Sequence, residues 1–230
     1  MVNDEVVELI ICYNILMFLQ KKNLKRGFTL VELLVVISIF AILTGVVLFN
    51  QTKFNSTILL TNLAYDTALT IRQAQTYGIN IKEFNTSTGG RFIPYGVHFD
   101  RVNEPKSFIL FADLTYDEDN EKSDGLYPSG TGVSLSKCQV DKGCVSRYSI
   151  KRGNSIGDLC VNTGATETCK IRSLDIVFQR PNPDARIQAV NESGNIITAE
   201  IVKAKIKLIG VDGSERIVIV QANGLIQIGN

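Results

Sequence analysis

The chain has no tryptophan and a single histidine, His98. One imidazole cannot build a histidine-rich metal centre and leaves little for general acid–base chemistry near neutral pH. An excess of either charge is also missing: 24 Lys and Arg stand against 23 Asp and Glu in 230 residues, a net of +1. A chain so close to neutral has no global field for drawing in nucleic acid. Neither a phosphate-binding P-loop nor a G-x-G-x-x-G fingerprint occurs, and no cofactor is implied. Apolar residues, by contrast, make up 45% of the chain, enough for a core and against wholesale disorder. The length predicts one head plus an extension.

The apolar residues are unevenly spread. From Phe28 to Phe49 the sequence reads FTLVELLVVISIFAILTGVVLF, with Glu32 as its one ionisable residue. As a helix this stretch rises about 33 Å, enough to cross a hydrocarbon layer about 30 Å thick. Lys21, Lys22, Lys25 and Arg26 precede it, so the positive-inside rule predicts a cytoplasmic N-terminus and export of everything after Asn50. The competing reading, a buried helix of a soluble protein, fits poorly with so long an apolar run. A conventional signal peptide would be cut after its apolar region at small residues. Thr44-Gly45-Val46-Val47-Leu48-Phe49 offers no such site.

The distinctive string lies before the apolar run: Lys25-Arg26-Gly27-Phe28-Thr29-Leu30-Val31-Glu32. A basic pair, a glycine, a phenylalanine and a glutamate open directly into the apolar helix. That string resembles the processing site of type IV pilins and of the pseudopilins of type II secretion systems. The resemblance implies cleavage between Gly27 and Phe28 by a membrane-embedded prepilin peptidase and N-methylation of the new Phe28 amine. It implies further partners: other pilin or pseudopilin subunits, the inner-membrane assembly platform and membrane lipid. A carboxylate in an apolar helix costs roughly 2.5–3.5 kcal/mol near the bilayer centre. Glu32, one turn in, either reaches interfacial water or, as the resemblance implies, pairs with the Phe28 ammonium of a neighbouring subunit and sets register.

The expected organisation is a leader over residues 1–27, a membrane-spanning helix half over 28–50, an amphipathic half over 51–78 and an exported head over 79–230. The leader is longer than is usual for the resembled family. Starting instead at Met17 would leave a compact MFLQKKNLKRG leader. Leu60, Leu63, Ala64, Ala68, Ile71 and Ala74 recur at helical spacing, and Gly78 is the expected stop. Ser38, Ala41 and Gly45 put small residues on one face, either for close helix approach or as ordinary membrane-helix composition.

After Gly78 the period shortens to two. Tyr95, Val97 and Phe99 alternate, Ser107 to Leu114 is a compact apolar run, and Leu174, Ile176 and Phe178 alternate again. Ala204, Ile206 and Leu208 interleave with Lys203, Lys205 and Lys207, and Asp212-Gly213 and Asn223-Gly224 mark hairpin turns. The expected fold is α+β: a long N-terminal helix packed on an antiparallel β head. The three lysines read as a solvated or edge-protecting face in preference to a nucleic-acid stripe. With the Leu63–Gln75 helix half, this outline resembles the H-type minor pseudopilins.

Cys138, Cys144, Cys160 and Cys169 fall on the exported side and Cys12 in the leader. Four thiols in an oxidising space allow three pairings. Cys138–Cys144 and Cys160–Cys169 are preferred because each closes a short loop, while free thiols stay open. Zinc is disfavoured by the absence of C-x2-C spacing. Asp117, Glu118, Asp119, Glu121 and Asp124 form an acidic stretch, with Asp117, Asp119, Glu121 and Asp124 as candidate calcium ligands. An EF-hand would need glycine where Lys122 stands, so a solvated loop is the stronger reading. Gly153-Asn154-Ser155-Ile156-Gly157 fits a nucleophile elbow, yet His98 precedes it in the chain, and a loop is expected there. The sequence thus predicts a structural subunit, with an uncleaved membrane-anchored binding module as the alternative and an exported hydrolase using Ser155 behind both.

Overall fold

A computed structural model describes residues 27–80, 82–86, 89–114, 124–128, 138–164 and 166–229. The long helix among the described residues is α1 (Leu30–Ile79). The chain divides into two compact units, residues 1–50 and 51–230, and α1 contributes to both.

In the first unit the helix begins where the sequence supplies a cap. Thr29 Oγ1 accepts the Glu32 N–H at 3.2 Å, and the Thr29 carbonyl accepts the Leu33 N–H at 3.1 Å. Thr-x-x-Glu is the spacing of a capping box, and an acid in the first turn suits the positive end of the helix dipole. Leu30–Leu48 is long and apolar enough to cross a membrane, and its aliphatic side chains are exposed all round. The hydroxyls within it are satisfied internally: Ser38 Oγ donates to the Val35 carbonyl and Thr44 Oγ1 to the Phe40 carbonyl. Lipid, which offers no hydrogen bonds, demands this arrangement.

In the second unit the same helix becomes amphipathic. Leu60, Leu63, Ala64, Thr67, Ala68, Ile71 and Ala74 are buried, while Tyr65, Leu69, Arg72 and Gln73 face outward. The helix runs one residue past Gly78. A Cβ on Gly78 would collide with the Phe178 backbone carbonyl, so the glycine serves close approach of helix to strand.

The head's strands are β1 (Glu83–Thr86), β2 (Gly89–Phe92), β3 (Tyr95–Asp100), β4 (Ser107–Ala112), β5 (Cys144–Ser149), β6 (Ser155–Asn162), β7 (Glu167–Thr168), β8 (Ser173–Phe178), β9 (Ala185–Val190), β10 (Lys203–Ile209), β11 (Glu215–Gln221) and β12 (Ile226–Gly229). They form a β1–β2 hairpin and two five-stranded sheets, ordered β5-β4-β3-β8-β9 and β12-β11-β10-β6-β7. Pairing is antiparallel between all of these neighbours. The fold is α+β, as expected. One core joins Leu60, Ala64 and Ile71 of the helix to Val97, Phe99, Leu110 and Leu174 of the first sheet and Ile206, Leu208, Val218 and Val220 of the second.

The period-two reading of β10 holds: Ala204, Ile206 and Leu208 are buried and the lysines between them half-buried. β3 and β4 are instead buried along their whole length. The second face of their sheet is covered by residues 124–128, which place Tyr127 against Ile109, Phe111, Cys144 and Val177. Two long-range ties fix loops on the helix. Gln75 Nε2 donates to the carbonyls of Pro183 and Gly224, each at 3.1 Å. Ser56 Oγ donates to Asp212 Oδ2 at 2.6 Å in the β10–β11 turn. Hydrogen bonds from Ser214, then from Ser56, hold the Asp212 carboxyl at about 2.

Candidate functional site

Gly27, Phe28 and Thr29 lie outside helical geometry and are exposed, Phe28 at 78%. The Thr29 cap accounts for this boundary, because it fixes the first helical residue at Leu30 and leaves the Gly27–Phe28 peptide outside the helix. A Cβ added at Gly27 would meet nothing within 4 Å. The fold therefore gives no steric reason for glycine at this position. Glu32 stands in the first turn with its carboxylate exposed. The basic residues Lys21, Lys22, Lys25 and Arg26, like Met17 and Cys12, lie outside the described residues.

The other candidates resolve differently. Cys138 is joined to Cys144 and Cys160 to Cys169, with Cα separations of 5.3 and 4.0 Å. Among the described residues, Asp158, Cys160 and Cys169 bring three potential metal-ligand atoms within 4.8 Å of one another. Both sulfurs are spent in the disulfide, and Asp158 Oδ1 accepts the Leu159 and Lys170 amides. This arrangement fits a clamp on the β6–β7 hairpin better than a metal site. Asp117, Asp119 and Glu121 lie outside the described residues. Asp124 uses Oδ1 to accept the Leu126 N–H at 3.0 Å.

Ser155 is not in a loop. It opens β6, paired with Ile209, because the Lys151–Asn154 turn ends one residue earlier. A nucleophile elbow needs a helix after the serine, and a strand follows instead. His98 lies in the other sheet, where its Nδ1 donates to Asp175 Oδ1 at 2.7 Å. Burial opposes charge on this ring, but Asp175, their hydrogen bond and Asp100 together raise its pKa above the ordinary 6.5. Asp175 was not legible as its partner, since the two are brought together only by the β3–β8 register.

The lysine stripe lies on an interior strand, between β11 and β6, and so protects no edge. Lys205 Nζ sits 2.6 Å from Glu167, and Lys207 stands opposite Asp158 in register. Glu167 is held below the usual carboxylate range by the Lys205 hydrogen bond first, with Lys207 and Lys203 adding to it. A compensated face of this kind is a solvated sheet surface.

The N-terminal segment brings together an exposed junction outside the helix, a capped helix start with one acid, and an apolar span. The prokaryotic N-terminal methylation motif matches residues 22–48. No curated protein and no solved structure matches the chain. The motif marks the chain as similar to type IV pilins and pseudopilins, which are structural subunits, and together with the apolar helix it points to membrane anchoring. Such subunits are processed by prepilin peptidase and assemble with other pilin subunits.

Proposed function

We propose that this chain is a minor pilin or pseudopilin subunit whose residues 1–27 are removed by prepilin peptidase and whose Phe28 amine is then methylated. The observation that carries the reading is the Gly27–Phe28 peptide, exposed and outside the helix at the head of the methylation motif. Residues 28–50 span the cytoplasmic membrane once, with the N-terminus inside. Residues 51–78 carry the head, residues 79–230, on the outer side. The subunit enters a type IV pilus or a type II secretion pseudopilus through its helix, in a tip-proximal place, and does no chemistry itself.

Glu32 supplies the assembly contact. Its carboxylate and the Phe28 ammonium of a neighbour each cost several kcal/mol to desolvate alone, and pairing offsets both costs. The pair forms only when two copies sit at one stagger, so it sets register. Removal of the leader creates the ammonium, which couples cleavage to assembly.

Mass analysis of the natively expressed protein tests this reading. The expected N-terminus is methylated Phe28. A chain recovered from membranes with its leader intact would falsify the processing assignment and leave an uncleaved anchored module.

A further inference from the structure

His98 Nε2 and Tyr127 Oη are buried, and neither makes a hydrogen bond among the described residues. Their rings are neighbours, with centroids 5.1 Å apart. Buried polar groups are almost always paired, so two orphans at one contact call for a physical reason.

They lie where residues 124–128 cross the outer face of the first sheet. Directly opposed residues share a face, and the register sets Arg147, Ile109, His98, Asp175 and Gln188 in one row across β5, β4, β3, β8 and β9. Tyr127 packs over Ile109 and His98 in the middle of that row and meets Phe111 edge-on at 5.3 Å. Gly125, at a φ of 69°, lies against the Arg186 and Gln188 side chains of β9.

The covering segment joins neither sheet. Two of its amides are held instead by buried carboxylates. Gly125 N–H donates to Asp113 Oδ2 at 3.2 Å, and Tyr127 N–H to Asp175 Oδ1 at 3.1 Å. A stretch fastened by side chains, with no ladder of its own, can come away without breaking the sheet beneath. Coming away also hydrates Nε2 and Oη, which favours opening by roughly tenfold for each group.

We propose that residues 124–128 form a strap that opens as a unit above an intact sheet, and that protonated His98 holds it shut. The inference is independent of the processing and assembly reading above. Asp175 Oδ1 accepts from His98 Nδ1 and from the Tyr127 amide together. An imidazolium beside this carboxylate keeps it charged and compensated, which strengthens its bond to the strap amide. The other charged groups on the elements packed about this site are mostly acids: Asp100 on β3, Asp113 after β4, Asp124 on the strap and Asp141 in the Cys138–Cys144 loop. Arg186 stands on β9, and Arg147 on β5 is paired with Glu104. With His98 neutral, the buried Asp175 loses its nearest counter-charge, and opening admits water to it. The raised His98 pKa has the matching sign: closure is strongest at low pH and weakens as pH rises through the closed-state value.

Hydrogen exchange read by mass spectrometry on the detergent-solubilised full chain tests the strap, with protection referred to the intrinsic rate at each pH. Between about pH 5.5 and about pH 8.5 the amides of Gly125 and Tyr127 are expected to lose roughly tenfold in protection, while those of β3 and β8 keep theirs. His98→Gln should leave the strap's protection low and level across that range. Tyr127→Phe keeps the ring and removes the orphaned hydroxyl, so it should raise the strap's protection roughly fivefold or more. Equal loss in strap and sheet would mean that His98 acts only on global unfolding, and overturns the strap. Protection that ignores pH in the natural chain, or fails to rise in Tyr127→Phe, overturns it as well. Where His98→Gln does not fold, the natural chain and Tyr127→Phe still decide.

Discussion

His98 Nδ1 lies 2.7 Å from Asp175 Oδ1, and the same oxygen accepts the Tyr127 backbone N–H at 3.1 Å. One buried carboxylate thus ties β3 and β8 to the segment that covers their sheet. The raised His98 pKa gives this tie a pH dependence. A group whose folded pKa exceeds its unfolded value contributes fully below the unfolded value and loses that contribution as pH rises through the folded one. The melting temperature of the detergent-solubilised protein is expected to fall as pH rises above 6.5. His98→Gln should flatten the profile. Asp175→Asn should cost about 3–5 kcal/mol, as expected when one partner of a buried pair is removed.

Gly27→Val is expected to leave the helix and head unchanged, since no atom lies within 4 Å of the added carbon. Processing should nonetheless stop, with the full leader retained in the mass spectrum. Normal maturation of this variant would show that the junction is read elsewhere.

Glu32→Ala should mature at the ordinary rate yet enter fibres at least about tenfold less, because the neighbour's ammonium loses its counter-charge. Quantifying the variant in sheared fibres against membranes gives the ratio. Wild-type incorporation would remove the carboxylate from assembly.

Replacing Cys160 and Cys169 together by alanine should lower head stability by roughly 2–4 kcal/mol, the usual range for a short disulfide loop. Denaturant titration of the solubilised protein measures it. The β6–β7 hairpin, whose strand has only two residues, should be the first part to lose amide protection.

How much of this was legible in the sequence depends on whether the signal was local. Helix α1 announced itself through its apolar run and then its three- and four-residue spacing, whereas the Thr29 cap went unread although its Thr-x-x-Glu spacing is local. β10 to β12 were readable because one face meets water and the other the core, which imposes alternation. β3 and β4 obscured that pattern by being buried on both faces. The cover, residues 124–128, is a short Asp-Gly-Leu-Tyr-Pro stretch whose role is set by strands distant in sequence. The division into two sheets was equally hidden, because it depends on β6 joining β10 and on β3 joining β8 across long separations. Of the candidate site residues, Gly27, Phe28 and Glu32 stood out because their segment reads as a linear string.

The absence of any atom near a Cβ at Gly27 carries a consequence for how such a chain can change. Under the proposed processing, a junction on which folding makes no demand answers only to the enzyme that reads it. The address label and the cargo can therefore evolve, or be exchanged by an engineer, as separate modules. Grafting residues 1–48 onto an unrelated exported domain should redirect that domain's maturation without retuning its interior.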